Sequence, residues 1–101
     1  MNKEQVNLKL NSIEAVIDKT YENIRNTLGE MKRANGYSLD YIYDTYRTCF
    51  QFWTSLMREL DVQETILFSY THILEYKSEE YNRTQKLIEK IRNIRSENVH
   101  F

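Results

Sequence analysis

Residues 34–38 read Ala34-Asn35-Gly36-Tyr37-Ser38 and carry one of only two glycines in a chain that has no proline. Asn35 and Gly36 both accept the left-handed backbone conformation that commonly closes a helix. Ser38 is a favourable N-cap, and Asp40 follows in the first turn, where its charge complements the helix dipole. This stretch therefore predicts a short turn between two helices.

Upstream of the turn, the apolar residues repeat at the spacing of a single helix face. At roughly 100° per residue they fall in an arc of about 80°, which is a narrow seam of the coiled-coil kind. We expect a first helix over residues 3–34 that packs through this seam on a neighbouring helix. The seam consists of Val6, Leu10, Ile13, Ile17, Tyr21, Ile24, Leu28 and Met31.

Downstream of the turn, the apolar residues spread over a wider arc of about 140°. An arc of this width indicates contact with two neighbours, so the second helix, over residues 38–60, is predicted to lie at the centre of the fold. Cys49 and Trp53 should be buried within it. The arc contains Leu39, Ile42, Tyr43, Tyr46, Cys49, Phe50, Trp53, Leu56, Met57 and Leu60.

A third helix is predicted over residues 62–96. If the second helix continued through Asp61, the apolar stripes on either side would lie about 180° apart. Asp61-Val62-Gln63-Glu64 also resembles a capping box, so we expect a helix break at Leu60–Asp61. The stripe of the third helix consists of Val62, Ile66, Tyr70, Ile73, Tyr76, Leu87, Ile88, Ile91 and Ile94.

These elements predict an all-α fold in one domain of 101 residues, an antiparallel bundle of three long helices. The alternative is a helical hairpin with one long bent second helix, an arrangement compatible with an intertwined dimer. The predicted third helix outlasts the second, which would expose Leu87, Ile91 and Ile94 unless another chain covered them. We therefore expect a homodimer or a complex with a helical partner.

Composition narrows the cellular setting. Hydrophobic residues make up 41% and charged residues 29%, a balance typical of folded chains, and the net charge is only −1. No stretch approaches the roughly 20 apolar residues of a membrane span. The polar start, Met1-Asn2-Lys3-Glu4-Gln5, is unlike a signal peptide, so we expect a cytoplasmic protein, with export by a route independent of a signal peptide left open.

The residues that carry most enzyme chemistry are sparse. The two histidines, His72 and His100, form no recognisable nucleophile pattern. A helical di-iron site would need Glu three residues before a histidine, but the residue three before His72 is Ser69. A glycine-rich phosphate loop is also missing from the sequence. The prediction is a protein that is not an enzyme, with no catalytic residues, no metal and no cofactor.

One basic cluster offers an alternative function. Arg83, Lys86 and Lys90 fall on one face of the third helix and could contact phosphates or an acidic partner. The same charges also complement the carboxyl end of a helix dipole. The alternative function is therefore a small nucleic-acid-binding regulator that uses this basic C-terminal helix.

Three large aromatic residues lie outside the apolar stripes. Tyr41 and Phe52 share the back of the second helix, and Phe68 lies opposite the stripe of the third. Aromatic side chains away from the core are good anchors for a protein partner. We predict that Tyr41, Phe52 and Phe68 contact another protein, most simply a helical one.

Two short motifs carry a family resemblance. Trp53-Thr54-Ser55 is similar to a Trp-x-Gly motif, with Ser55 in place of the glycine, and residues 76–80, Tyr-Lys-Ser-Glu-Glu, fit a Tyr-x-x-x-Asp/Glu export signal. In format the chain resembles the small bacterial WXG-type proteins and the helical helpers of LXG toxins in type VII secretion. The resemblance implies a helical hairpin that pairs with a partner. It favours a non-enzymatic protein-binding module: a secretion helper, an immunity or inhibitor protein, or an adaptor.

Overall fold

The computed structural model describes residues 2–97 and contains three helices, α1 (Lys3–Ala34), α2 (Leu39–Thr71) and α3 (Glu79–Glu97). Within these residues the fold is all-α and antiparallel, as predicted. The first turn of α3 lies beside the start of α1, where Lys3 Nζ is 3.6 Å from carboxylate oxygens of Glu79 and Glu80. The end of α3 reaches Tyr21, whose hydroxyl donates to Glu97 over 3.2 Å. The chain therefore runs up, down and up again.

The turn between α1 and α2 falls where the sequence places it. Helix α1 ends at Ala34, and the Ser38 hydroxyl accepts a 3.3 Å hydrogen bond from the Tyr41 amide as the N-cap of α2. The expected left-handed closure does not occur, because Asn35 has right-handed backbone angles (φ −63°) and Gly36 has no positive φ. Instead the Tyr37 amide donates to the Ala34 carbonyl over 3.1 Å and tightens the turn.

The predicted helix break at Leu60–Asp61 is wrong, since α2 continues through it to Thr71. The core stripe continues as Gln63 and Leu67, both buried, in phase with the buried Leu56 and Leu60. Over residues 62–76, the rival stripe that suggested a break lies at the edge of the core or outside it. Its members Val62, Ile73 and Tyr76 are exposed, while Ile66 and Tyr70 are half-buried.

The third helix begins at Glu79 rather than at residue 62. Residues 72–78 form the connection, in which Lys77 has a positive φ of 64° and Ser78 accepts a 3.1 Å hydrogen bond from the Tyr81 amide. Glu80 and Thr84, which lie in the gap between Tyr76 and Leu87 of the predicted stripe, are buried in the first turns of the helix. The polar run in the sequence therefore marks a connection and a helix start.

One hydrophobic core draws on all three helices. Trp53 is only 8% exposed and Cys49 is buried, as predicted. The α3 residues expected to need cover from a second chain are instead buried within the monomer, because α3 packs along α1 and the second half of α2. These residues are Leu87, Ile91 and Ile94.

Helix α3 is much shorter than its neighbours. Its 19 residues span about 28 Å at 1.5 Å per residue, whereas the described chain is 56 Å long. The described hydrogen bonds and ion pairs near the end of α3 reach Tyr21 on α1 and Asp61 on α2. Beyond them lies the two-helix end, residues 22–34 of α1 and 39–57 of α2, over which no other described helix packs. The third helix does not outlast the second; it ends well short of the hairpin turn.

Candidate protein-interaction surface

A row of exposed apolar side chains follows α2 along the two-helix end. Leu39 is 84% exposed, Tyr43 66% and Phe50 57%, and the half-buried Tyr46 lies between them. Their spacing of four, three and four residues is that of the a and d positions in a coiled coil. We call Leu39, Tyr43, Tyr46 and Phe50 the α2 seam.

The α2 seam borders an open groove of about 770 Å³, whose wall also includes Ile42, Arg47 and Gln51. Two contacts hold parts of the seam in place. The Tyr46 hydroxyl donates a 2.8 Å hydrogen bond to Asn35 Oδ1 in the hairpin turn, and the Arg47 guanidinium lies 5.9 Å from the centre of the Tyr43 ring. Ordering of this kind in the free protein lowers the entropy cost of binding.

The α2 seam continues the surface on which α3 packs. Arg95 and Arg92 of α3 contact Glu64, and Arg95 also contacts Asp61. At roughly 100° per residue, the four seam residues and these two carboxylates fall in the same sector of α2, about 60° wide. One face of α2 is therefore covered by α3 in its second half and exposed in its first half.

Sequence reasoning missed this surface by assigning all four seam residues to the core. The wide arc of the second helix contains two stripes, one buried at Cys49, Trp53, Leu56 and Leu60 and one formed by the seam. The four-three-four spacing, considered by itself, was the signal that could have separated them.

The predicted partner contacts Tyr41, Phe52 and Phe68 are each about half exposed, at 51%, 48% and 52%. Tyr41 packs on Tyr37 with ring centres 4.8 Å apart, and Phe68 meets the His72 ring edge-on at 5.1 Å. Helical spacing places Tyr41 and Phe52 on one side of α2, with Phe68 about 160° around the axis and about 24 Å beyond Phe52. The structure does not bring the three together, and their role in binding stays a prediction.

Two of the three predicted phosphate contacts have acidic neighbours within the chain. Arg83 donates to side chains of Asn7, Asn11 and Glu14, and Lys90 pairs with Asp18 and approaches Glu14 at 3.9 Å. Lys86 is exposed on the same helix. Arg83 and Lys90 thus tie α3 to α1, which reduces the cationic surface open to a nucleic acid.

The cysteine environment disfavours nucleophilic chemistry. Burial raises the pKa of the Cys49 thiol, and the Glu30 carboxylate, whose Oε2 is 3.9 Å from Sγ, raises it further. A protonated thiol is a poor nucleophile. His72 lies 23 residues further along the chain, about 35 Å away by helical rise, so it does not serve Cys49. His100 lies outside the described residues.

No group of three or more His, Cys, Asp or Glu side chains in residues 2–97 is arranged to hold a metal ion. None of the described helices is long and apolar enough to cross a membrane. Comparison of the chain with protein-family models, curated proteins and solved structures finds no match. The resemblance to WXG-type proteins stays a prediction, and Trp53-Thr54-Ser55 lies inside α2 rather than in a turn.

Proposed function

We propose that this chain is a non-enzymatic protein-binding module that accepts a helix from another polypeptide on the α2 seam. The observation that carries the proposal is the position of the seam in direct continuation of the α3 packing surface. A helix entering there meets the same face of α2 that α3 already uses. It would complete a three-helix bundle along the two-helix end.

The residue types of the seam support this role. Aromatic side chains bury a large area for little lost rotamer freedom, and they dominate the energetics of many protein interfaces. Leu39, Tyr43 and Phe50 are each more than half exposed. Single exposed apolar residues are common on monomer surfaces, whereas a continuous exposed row is typical of an interaction site. Heptad spacing favours a helix as the occupant over an extended peptide.

Site-specific photo-crosslinking in cells tests the proposal. A benzophenone amino acid replaces Tyr43 in one variant, Phe50 in a second and Leu8 in a third. Leu8 is the matched control, because it is also exposed (61%) but lies on α1, away from the seam. We expect adducts with another polypeptide chain, mapped by mass spectrometry to helical segments, at Tyr43 and Phe50 and not at Leu8. Equal labelling at all three positions, or none at Tyr43 and Phe50, would contradict the proposal.

A further inference from the structure

We propose that the occupant of the α2 seam is a second copy of this chain, bound through a two-fold axis close to residues 44 and 45. This inference rests on the proposed function and names the partner at the same surface. In the dimer, the first halves of the two α2 helices pair antiparallel. The first half of each α2 lies in the groove beside the α2 seam of the other protomer.

The seam is self-complementary in an antiparallel register. Residues at a positions pack against residues at d positions when two heptad helices run in opposite directions. With the axis near residues 44 and 45, Tyr43 faces the partner's Tyr46, and Leu39 faces the partner's Phe50. In this register each seam residue of one protomer faces a large apolar seam residue of the other.

Charges beside the seam are also complementary in this register. Asp40 and Arg47 are seven residues apart and lie on the same flank of the seam. With this two-fold axis, Asp40 and the partner's Arg47 lie on the same side of the helix pair. They are offset by two residues, which is about 3 Å along the helix axis. The dimer thus contains two equivalent opposite-charge pairs at flanking positions, which commonly set orientation in coiled coils. In a parallel pair these two positions would lie on opposite sides of the interface, so this charge pairing would not form.

The available space agrees with the pairing. Residues 39–57 of α2 span about 28 Å, whereas the partner's residues 39–50 need only about 18 Å. Helix α3 is antiparallel to α2, so a partner helix that is also antiparallel to α2 lies in line with α3 and runs in the same direction. The partner's hairpin turn then faces the end of α3 near Asp61.

The central experiment is sedimentation equilibrium of the full chain over micromolar concentrations. We expect a dimer for the parent and for the control Leu8→Glu, and a monomer for Phe50→Glu. Asp40→Arg and Arg47→Asp should each raise the dimer dissociation constant about tenfold or more, because each creates two like-charge contacts. The double variant Asp40→Arg/Arg47→Asp should recover most of the affinity. Helical circular dichroism shows that each variant is folded.

Disulfide trapping tests the register. In a Cys49→Ala background, a mixture of Tyr43→Cys and Tyr46→Cys chains should form mixed disulfide dimers faster than either chain alone. Preferential Tyr43→Cys homodimers would overturn the antiparallel pairing.

The two proposals fail in different ways. A parent that stays monomeric at high micromolar concentration, or a dimer insensitive to Phe50→Glu and to both charge reversals, would overturn the second-copy inference. If the photo-crosslinks at Tyr43 and Phe50 then map to a different protein, the proposed function stands with that protein as partner. If no chain is crosslinked there, both proposals fail. Should Phe50→Glu unfold, the charge reversals at the exposed Asp40 and Arg47 decide the outcome.

Discussion

Asp61 of α2 accepts a 2.7 Å hydrogen bond from the guanidinium of Arg95 of α3. The same guanidinium reaches Glu64, one turn along α2, over 3.0 Å. The residue whose position suggested a helix cap therefore lies inside a helix and joins it to its neighbour. The two carboxylates and Arg95 mark the level along α2 that the last turns of α3 reach.

Asp61→Ala should change the free energy of unfolding by no more than about 0.5 kcal/mol. The ion pair is solvent-exposed and contributes little, while alanine is the better helix former at a mid-helix position. Ser38→Ala is the matched variant, because Ser38 does cap α2, and it should cost about 1 kcal/mol. Urea denaturation measures both. A loss near 1 kcal/mol for Asp61→Ala would instead support a break at that residue.

Glu64→Gln should make the protein less stable at neutral pH, by about 1 kcal/mol. Burial by itself would raise the pKa of Glu64, but hydrogen bonds and charge attraction from Arg92 and Arg95 outweigh it and lower the pKa. With a lowered folded-state pKa, the stabilisation is present above the unfolded-state value near 4.5 and is lost as the pH falls through the folded-state value.

The measurement for Glu64 is urea denaturation from pH 7 down to pH 3. The difference between parent and Glu64→Gln should shrink as the pH falls. Glu89→Gln, an exposed α3 variant, corrects for the general loss of one carboxylate. A difference that is constant across this pH range would contradict the assigned role of the two arginines.

Trp53→Ala should cost about 3–5 kcal/mol, a large share of the stability of a domain of this size, because the indole is almost fully buried in the common core. The neighbouring Phe52→Ala should stay within about 0.5 kcal/mol, since that ring is half exposed. Thermal and urea unfolding measure both variants. Tryptophan fluorescence of the parent should be blue-shifted from that of indole in water, and emission at the aqueous wavelength would contradict the burial.

Alkylation of Cys49 by iodoacetamide at pH 8 should be about tenfold or more slower than that of an unstructured cysteine peptide. The cause is burial, which both shields the thiol and raises its pKa, with the Glu30 carboxylate adding to the rise. Glu30→Gln should therefore speed the reaction only modestly, and unfolding in urea should remove most of the difference. Rapid labelling of the native protein would show that the thiol is accessible.

The hairpin was predictable because its signals are local. The seam of α1 and the Asn35-Gly36 turn depend on residues a few positions apart, and the structure places both as expected. The extent of α2 depends on a choice between two apolar faces in its second half. Helical periodicity identifies both faces but cannot select between them, and the contacts of α3 decide that Leu67 is buried while Val62 is not.

The α2 seam escaped prediction for the same physical reason. Leu39, Tyr43 and Phe50 have the spacing of core residues, and they would be buried if α3 were longer by four or five turns. Their exposure follows from where a helix more than 40 residues away in sequence comes to an end. Neither composition nor local spacing indicates how far along α2 the third helix extends.

The early end of α3 also divides the molecule into regions of unequal protection against amide hydrogen exchange. Backbone groups near Leu60 and Leu67 lie within the three-helix core, so their hydrogens should exchange only through global unfolding. Among the described helices only α1 packs on residues 39–50, so the amide hydrogens of these residues can also exchange through fraying of the hairpin. If the proposed association occurs at this end, it should slow amide exchange most in residues 39–50, where we expect exchange in the free chain to be faster than in the three-helix core.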